Sequence, residues 1–454
     1  MTISAVVSNE GMIGKLALAK EAYSKEEARE KLEIELSKLK IDKVSDEKYN
    51  ENEYITDYLT QNGLEVNGNM VKVYGYYFKI DRTVPKIVSE YGKESMLVNI
   101  ALNESIFGEI AMVDESKFET LTINGQTYTL DVIVVNNSLK LDGTGTINGA
   151  TLSENVYEFG NENDCGSADS NDDGTSEYAT NMVVLKVDGD LEISNGITLT
   201  TCKNSEGYGG PKGFLIFCTG KITNNGTVSM TGRGANAEGQ NVYMWKNEDG
   251  SYETVPAEGA SGADWSYSNN VGWVAGNAGS SGEDRRTGGG GSGACYNTGW
   301  YSAHSRPGGA GTSYSGGSGS GGANTSYGWA NGKTASSSWE NGDRVSGAGS
   351  DVGGEGGFGN GAEDGVGNPG VVNGTGGLLI MFSKSLENNG TIDSNGLGAS
   401  TGGSSGGGSI NIFYTEEISN TGTIAASGGV TSYLGGRGGD RKCYYWKYCN
   451  WKFC

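Results

Sequence analysis

The chain has 454 residues, of which 78 are glycine and only 5 are proline, which excludes a collagen triple helix because that structure needs abundant proline and a strict triplet repeat. Its formal net charge of -22 argues against binding to nucleic acid or to anionic membranes, whose phosphates require clustered Lys and Arg. Short runs of Val, Ile, Leu and aromatic residues recur between the glycines, which favours a folded and acidic extracellular protein over a disordered one.

An amphipathic helix is predicted near the start of the chain, over Asn9 to Ile41, because apolar residues recur on one side and charged residues on the other. Ordinary surface helices have the same pattern, so the pattern alone assigns no function. A shorter helix is predicted around Glu53 to Thr60, and Met70 to Val88 alternates as a β-hairpin does. These elements divide the region into a helical segment, residues 1–45, and a small α/β linker domain, residues 46–119.

From residue 120 the apolar period changes to two and a repeat begins. Its clearest copies are GFLIFCTGKITNNGTVSMTG from Gly213, GLLIMFSKSLENNGTIDSNG from Gly377 and GSINIFYTEEISNTGTIAASG from Gly408. A strand, an Asn-Gly turn and a second strand could form a hairpin. Repetition with loops of variable length fits the coils of a right-handed parallel β-helix better, because each coil must stack on its neighbours to bury its apolar side. We therefore predict β-solenoid coils over residues 120–232 and 377–439.

A glycine-rich insert, residues 233–376, separates the first two of these copies. A flexible linker is one interpretation, but linkers rarely contain so many indoles, here Trp245, Trp265, Trp273, Trp300, Trp329 and Trp339. We favour glycine loops folded against aromatic rings, with bundled polyproline II-like strands. Four of the indoles are candidate glycan-stacking residues, with packing of the glycine loops as the alternative role: Trp265, Trp273, Trp300 and Trp329.

The segment DSNDDGTSE resembles the first half of a calcium-binding loop. Asp169, Asn171 and Asp173 supply short oxygen ligands at alternate positions, and Gly174 permits a sharp turn. The bidentate glutamate expected at the twelfth position is missing, and Glu177 could replace it only in a different loop geometry. Calcium is therefore the one candidate cofactor, and a solvated acidic turn is the alternative.

Catalytic signals are weak. His304 is the only histidine and the chain has no G-x-S-x-G elbow, which argues against a nucleophilic triad. Acidic pairs such as Glu355 and Asp364 leave a glycosidase open, because the separation of two carboxylates decides that mechanism and cannot be read from sequence. We predict a protein that is not an enzyme.

The segment ISAVVSNEGMIGKLALAKEAYSKEEAREKLE resembles the second half of the N-terminal helix of type IV prepilin-like proteins of Gram-positive bacteria, with Gly11 to Lys20 as the matching exit segment. In that family a basic leader, a cleavage site and about twenty apolar residues precede this segment, so the resemblance implies a truncated pilin-like helix. The glycine-rich part is similar to large surface proteins that carry the same helix followed by repeated units of the form GG(S)LIxFxxxLxNNGTI.

These resemblances imply a secreted or cell-surface location and bring no catalytic residues. Pilin subunits, or a host or glycan surface ligand, are the implied partners, nucleic acid is not, and membrane contact would occur only through the missing upstream apolar helix. No export signal is expected in the chain as it stands.

The last segment, Asp440 to Cys454, differs from the rest in its three cysteines and clustered aromatic residues. Codons for these residues, read one nucleotide later, can spell Thr-Gly-Ser-Val-Thr-Ile-Gly, which continues the repeat, so we interpret residues 440–454 as an aberrant, frameshifted tail. Four cysteines then remain, an even set compatible with two disulfides or with four separate thiols: Cys165, Cys202, Cys218 and Cys295.

The sequence thus predicts a mainly β protein with a pilin-like N-terminal helix, a small α/β segment and a glycine-rich right-handed parallel β-helix. The predicted function is that of a non-enzymatic pilin-like or adhesin-like surface protein, used in adhesion or in fibre assembly. The alternatives are a polysaccharide-acting hydrolase or lyase on a β-helix, and a purely structural spike or fibre module.

Overall fold

The structure is a computed structural model, and the residues that it describes are 26–39, 51–67, 70–74, 76–82, 84–93, 105–111, 113, 117–165, 178–203, 209–247, 249–297, 299, 302–305, 307–320, 323–324, 338–340, 343–345, 374–399, 402–430, 434–441 and 443–447. The chain divides into two compact units. Unit 1 comprises Met1–Leu102 and Ala111–Asp114, and unit 2 comprises Asn103–Ile110 and Glu115–Cys454.

Unit 1 contains two helices and a four-stranded antiparallel sheet in the order β1-β2-β3-β4. Its elements are α1 (26–39), α2 (Glu51–Gln61), β1 (Glu65–Asn67), β2 (Met70–Val73), β3 (Tyr76–Asp81) and β4 (Lys86–Lys93). The helix predicted around residues 53–60 and the hairpin predicted over 70–88 are confirmed by α2 and by the antiparallel pair β2 and β3. Residues 26–39 of the longer predicted helix are helical, and its other residues lie outside the described part.

The apolar stripe of α1 forms the core of unit 1. Ala28, Leu32, Leu36 and Leu39 are buried, at the spacing of three or four residues that places side chains on one face of a helix. They pack with buried side chains of α2 and of the sheet, such as Phe78. Among the described residues of the chain, no helix combines the length and the apolar character needed to cross a membrane.

The described residues of unit 2 form mainly β-strands, with a 3₁₀ helix, Glu162–Asp164, and most of a short α-helix, α3 (Ile106–Ala111), whose last residue belongs to unit 1. Its strands before the glycine-rich insert are β5 (Lys117–Ile123), β6 (Gln126–Val135), β7 (Leu139–Leu141), β8 (Ala150–Ser153), β9 (Val156–Phe159), β10 (Met182–Val187), β11 (Leu191–Ile193), β12 (Thr198–Thr201), β13 (Phe214–Cys218), β14 (Lys221–Asn224) and β15 (Thr227–Ser229).

The later strands of unit 2 are β16 (Val242–Lys246), β17 (Tyr252–Val255), β18 (Tyr267–Ser268), β19 (Gly272–Val274), β20 (Cys295–Asn297), β21 (Ala303–His304), β22 (Ala323–Asn324), β23 (Ser338–Glu340), β24 (Asp343–Val345), β25 (Leu378–Asn388), β26 (Thr391–Asp393), β27 (Ser409–Asn420), β28 (Thr423–Ala425) and β29 (Tyr444–Lys447). The prediction of a mainly β protein is confirmed, and its sheets combine parallel and antiparallel pairs.

Most strands of unit 2 belong to three ladders of parallel pairs. The first ladder runs β6-β10-β13-β25-β27-β29, the second runs β7-β11-β14 and continues into the ends of β25 and β27, and the third runs β9-β12-β15-β26-β28. Along the chain β10, β11 and β12 fall in the first, second and third ladders, and β13, β14 and β15 repeat this order beside them. Equivalent positions of the sequence repeat therefore lie next to each other.

The first ladder is buried on both sides. Ile133, Leu185, Ile216, Met381 and Ile412 are successive partners in register, and all of them belong to the apolar core between the ladders. On the opposite side, aromatic rings pack against one another, and neighbouring ring centroids are 4.9 to 5.3 Å apart. The rings are those of Phe107, Phe217, Phe382, Phe413 and Trp245. Burial on both sides explains why these strands are continuous apolar runs.

The glycine-rich segments form a hydrogen-bonded bundle around residues 287–293. The amides of Gly288 and Gly291 donate to Gly407 and Ser404 on one neighbouring segment, both at 2.9 Å. The amides of residues 289 and 290 donate to two other segments, at positions 280 and 309. Return to the same neighbour after three residues is the period of a polyproline II helix.

Three more segments donate hydrogen bonds to the central segment, residues 287–293, so six neighbouring segments are bonded to it. Their donors are Ala263, Gly317 and Gly439, whose amides bind the carbonyls of residues 290, 288 and 289 at 2.8 Å. In the described part of 233–376, this network supports the predicted bundle of polyproline II-like strands over a flexible linker. Loops from residues 402–408 and 434–440 also join the bundle.

Part of the C-terminal segment is also integrated into unit 2. The strand β29 extends the first ladder by pairing in parallel with β27, and Asn411 lies opposite Tyr444. Arg441 is 7% exposed and donates to the carbonyl of Ile410 at 3.3 Å and to Oδ1 of Asn411 at 3.2 Å. Residues 448–454 lie outside the described part.

Candidate functional site

The candidate site is a group of exposed and partly exposed aromatic side chains on and beside the short strands that adjoin the glycine bundle. We call it the aromatic surface and define it by Trp265, Tyr267, Trp273, Tyr296 and His304. The strands β18 and β21 pair antiparallel, with Tyr267 opposite His304, and β19 and β20 pair antiparallel, with Trp273 opposite Tyr296.

Alternation along these strands turns the rings outward. In the run from Trp265 to Ser268, the aromatic residues are exposed whereas Ser266 and Ser268 are each 4% exposed. Neighbouring strands follow the same rule, because small residues such as Cys295 and Ala303 are buried. Small inward side chains allow the strands to pack closely against the bundle, and the bulky residues are left on the solvent side.

Three rings of the aromatic surface are in mutual contact. The Trp265 ring lies 5.1 Å from the His304 ring and 5.8 Å from the Tyr267 ring, both edge-on, and the Tyr267 and His304 rings are 6.2 Å apart. Trp265 is 49% exposed and Tyr267 is 42% exposed. Edge-on packing is a favourable geometry for aromatic pairs, so the rings hold each other in place while a large part of their area faces solvent.

A second ring pair lies on the adjoining strands β19 and β20. The rings of Trp273 and Tyr296 are 4.8 Å apart and inclined by 36°. The neighbouring Val271 is the most exposed large apolar side chain of the described residues, at 72%. Polar groups border the rings, including the exposed carboxylate of Asp264 and the Tyr267 hydroxyl, which donates to Oγ of Ser302 at 3.1 Å.

Hydrogen bonds connect the aromatic surface to the bundle. Oγ of Ser266 donates to the carbonyl of Gly293 at 2.7 Å, and the Ser266 amide donates to Oγ of Ser305 at 2.9 Å. The Asn277 side chain donates to the carbonyls of Asp264 and Trp265 at 3.0 and 3.1 Å. These bonds fix the backbone of residues 264–266, because they join it to Gly293 of the bundle and to Ser305 and Asn277 of neighbouring segments.

The buried Cys295 thiol lies beneath the rings. It contacts the Ser266 carbonyl at 3.2 Å, and burial raises its pKa to about 11. The thiol is therefore neutral at physiological pH and belongs to the support of the site rather than to its reactive chemistry.

Two of the four predicted glycan-stacking residues, Trp265 and Trp273, lie on the aromatic surface. The other two, Trp300 and Trp329, lie outside the described residues. Tyr267, Tyr296 and His304 were not predicted as members of the site. The alternation of aromatic and small residues in Trp-Ser-Tyr-Ser could have indicated Tyr267. Tyr296 and His304 join the site only through the pairing of strands that are distant in the sequence.

The other predicted positions are the candidate calcium ligands and an acidic pair. The predicted calcium ligands Asp169, Asn171, Asp173 and Glu177 lie outside the described part, as do Glu355 and Asp364. Within the described part, no group of three or more His, Cys, Asp or Glu residues could hold a metal ion.

A carboxyl pair lies in the same unit as the aromatic surface. Burial, followed by the charge of Asp164 and a hydrogen bond with it, raises the pKa of Asp131 to about 6. Asp164 is 1% exposed and accepts from the amide of Asn161 at 2.8 Å and from Nδ2 of Asn181 at 2.6 Å. Asp164 is thus interior, and Asp131 is half-buried beside it.

The four cysteines of the sequence analysis occupy different surroundings. Sγ of Cys165 and Sγ of Cys202 are 3.1 Å apart. Cys218 lies in the core and contacts the Gly189 carbonyl at 3.0 Å, and Cys295 lies beneath the aromatic surface.

No protein-family model, curated protein or solved structure matches this chain.

Proposed function

We propose that this chain is a non-enzymatic, adhesin-like protein of the cell surface, which binds glycans through its aromatic surface. The observation that carries the proposal is the exposure of Trp265, Tyr267 and Trp273, together with the inward Ser266, whose hydroxyl is hydrogen-bonded to the glycine bundle. The pilin-like resemblance of the first forty residues supports the location and suggests pilin subunits as further partners.

The scaffold in this proposal is a right-handed β-solenoid. Parallel pairing in all three ladders, and the return of the chain to the first ladder after each pass through the third, support coils that stack on one another. Connections between parallel strands of one sheet are right-handed in about 98% of cases, which is why we assign that hand. In this arrangement the coils support the glycine bundle, and the bundle supports the strands that carry the aromatic surface.

Exposed indole and phenol rings are suited to sugars. A pyranose has an apolar face of C–H groups that stacks on an aromatic ring, and hydroxyl groups at its edge that bind polar side chains. Asp264, Asn269 and Asn270 are exposed beside the rings and could accept or donate such hydrogen bonds. A backbone already fixed by hydrogen bonds lowers the ordering cost of binding.

The charge of the chain narrows the class of glycan. With a formal net charge of -22, the protein repels sulfated, phosphorylated and uronic acid-rich polymers. We therefore propose a neutral polysaccharide as the ligand. Within the described residues, the aromatic surface lacks lysine and arginine among its defining members.

The test measures binding to neutral polysaccharides by affinity electrophoresis, and to their oligosaccharides by calorimetry. Trp265→Ala and Trp273→Ala are each expected to weaken binding by roughly fivefold to tenfold, because one ring contact contributes about 1 kcal/mol. Tyr178→Ala is the matched control, since Tyr178 is 52% exposed but is not part of the aromatic surface. Unchanged affinity of both tryptophan variants would remove the proposed site.

The same samples distinguish the other functional classes. Release of reducing ends or of unsaturated sugars from the polysaccharide would favour a hydrolase or a lyase. Absence of binding to the whole panel would favour a purely structural spike or fibre module.

A further inference from the structure

Two thiols that are distant in the sequence meet beneath the surface of unit 2. Cys165 directly follows the 3₁₀ helix Glu162–Asp164, and Cys202 directly follows β12. Their Sγ atoms are 3.1 Å apart, and each residue is 8% exposed. Both thiols are directed at the carbonyl of Asn161, at 3.1 Å from Cys202 and 4.0 Å from Cys165. We propose that Cys165 and Cys202 form a disulfide in the mature protein.

The geometry distinguishes this pair from the other two interior cysteines. A disulfide requires Cα atoms within about 7 Å and Cβ vectors that converge, and the contact between the two Sγ atoms meets the second condition directly. Sγ of Cys218 instead contacts the carbonyls of Gly189 and Lys221 at 3.0 and 3.8 Å. Sγ of Cys295 contacts Oγ and the carbonyl of Ser266, both at 3.2 Å. One disulfide and two separate thiols are therefore expected.

The surroundings do not favour a reactive thiolate in the folded chain. The pKa of Cys202 is raised by its hydrogen bond with Cys165, by burial and by the nearby charge of Asp164. Reactive redox cysteines have a lowered pKa and are accessible, whereas the pKa of Cys202 is raised and both residues are only 8% exposed. The structure thus assigns the pair to a structural crosslink, formed while the segment is still open during folding, rather than to a redox switch.

The oxidant belongs to the class of small-molecule or protein disulfides found in extracytoplasmic compartments. A thiolate of one cysteine attacks a sulfur of the oxidant, which gives a mixed disulfide and releases one thiol. The second cysteine loses its proton and attacks its partner's sulfur in the mixed disulfide, which forms the Sγ–Sγ bond and releases the second thiol. Two electrons and two protons pass to the oxidant, which is reduced to two thiols.

The first test uses the full chain refolded in a glutathione redox buffer. The protein is denatured without reductant in the presence of iodoacetamide, digested and mapped by mass spectrometry. We expect the peptides of Cys165 and Cys202 to be joined, with a mass lower by two hydrogens than their sum, and Cys218 and Cys295 to be fully alkylated. Complete alkylation of Cys165 and Cys202, or a bond from either of them to another cysteine, would overturn the proposal.

The second test measures the thermal unfolding midpoint with and without dithiothreitol. The reductant is expected to lower the midpoint of the wild-type chain by several degrees and to leave the double variant C165S/C202S unchanged. Cys295→Ser is the matched control, because serine fits its hydrogen-bonded site and the variant should keep the full response to dithiothreitol. An equal response of the wild type and the double variant would contradict the proposal, whatever the glycan-binding result.

Discussion

Asn224 donates from its side-chain amide to Oδ1 of Asn388 at 2.7 Å, although 164 positions of the chain separate the two residues. Asn388 in turn donates to Oδ1 of Asn420, also at 2.7 Å. Each of these asparagines ends a strand of the second ladder, where the chain turns toward the third. The Asn-Asn-Gly and Asn-Thr-Gly turns of the sequence repeat therefore stack as an asparagine ladder.

Asn388→Ala is expected to destabilise unit 2 by about 2 kcal/mol, because it removes three side-chain hydrogen bonds and leaves the buried amide of Asn224 without one of its acceptors. Asn388 is fully buried, at 0% exposure. The measurement is the free energy of unfolding in urea. Asn389→Ala is the control, because the three side-chain hydrogen bonds of the neighbouring Asn389 are exposed to water, so its loss should cost clearly less than that of the buried Asn388. Equal effects of the two substitutions would contradict an internal asparagine ladder.

The sequence was sufficient to predict the alternating strands of the repeat and the proximity of its equivalent copies. Residues that alternate in the copies from Gly213, Gly377 and Gly408 lie on β13, β25 and β27, which are adjacent and in register. A strand has a strict two-residue period and a repeat places equivalent positions together, so a single sequence contains both signals.

The bundle and the contacts made by loops could not be predicted in the same detail. Glycine has no side chain, so nothing in the sequence indicates that Gly290 donates to Gly309 rather than to another glycine. The proximity of Cys165 to Cys202, and of Trp265 to His304, likewise depends on how loops cross between distant strands. Loop conformation has no period, which is why composition suggested these regions but did not define them.

Gly290→Ala is expected to disrupt the bundle. A methyl group at Gly290 would lie 2.0 Å from the carbonyl oxygen of Ser318, in a segment that backbone hydrogen bonds hold on several sides. Since neither backbone can move away without breaking such bonds, we expect a loss of about 3 kcal/mol or more. Hydrogen exchange of the amides of residues 287–293 would measure this loss of stability, and faster exchange is expected in the variant.

Gly250→Ala provides the control for this prediction. Nothing lies within 4 Å of a methyl group at Gly250, and only its φ of 84° opposes the substitution, at about 1 kcal/mol. Exchange in residues 287–293 should be unchanged in this variant. Wild-type exchange in the Gly290→Ala chain would mean that the segments are not closely packed.

Asp131 is expected to make stability depend on pH between about 4 and 6. Its pKa is raised from 3.8 to about 6 in the folded chain, so the folded chain binds more protons than the unfolded chain in this range. The stability that protonated Asp131 contributes is complete below its unfolded pKa and is lost as pH rises through its folded pKa. Because the side chain is half-buried, we discount the loss for solvent screening to about 1 kcal/mol.

Asp131→Asn should remove this pH dependence, since an amide stays neutral and can still donate to Asp164. Unfolding midpoints measured at several pH values from 4 to 7 would test it, and the variant should show a flatter profile than the wild type. Asp142→Asn is the control, because the exposed Asp142 has a lowered pKa. In this variant the unfolding midpoint should still fall as the pH rises from about 4 to 6. A wild-type profile that rises across this interval would oppose the assignment.

Arg233 binds two adjacent strands of the third ladder, β9 and β12, and its loss is expected to destabilise unit 2. Its guanidinium donates to the Thr201 carbonyl at 3.0 Å and to Oε1 of Glu158 at 2.8 Å, and its side chain is only 11% exposed. Arg233→Met should cost about 2 kcal/mol, because a charge-assisted bond is lost and a carbonyl loses its donor.

Lys221→Met removes the exposed ion pair with Glu387, where both side chains are more than a third exposed, and should cost less than about 1 kcal/mol. Urea unfolding at low and high salt separates the two cases, since screening should reduce the effect of Lys221→Met and leave that of Arg233→Met largely unchanged. Equal costs with equal salt dependence would show that Arg233 contributes no more than a surface charge.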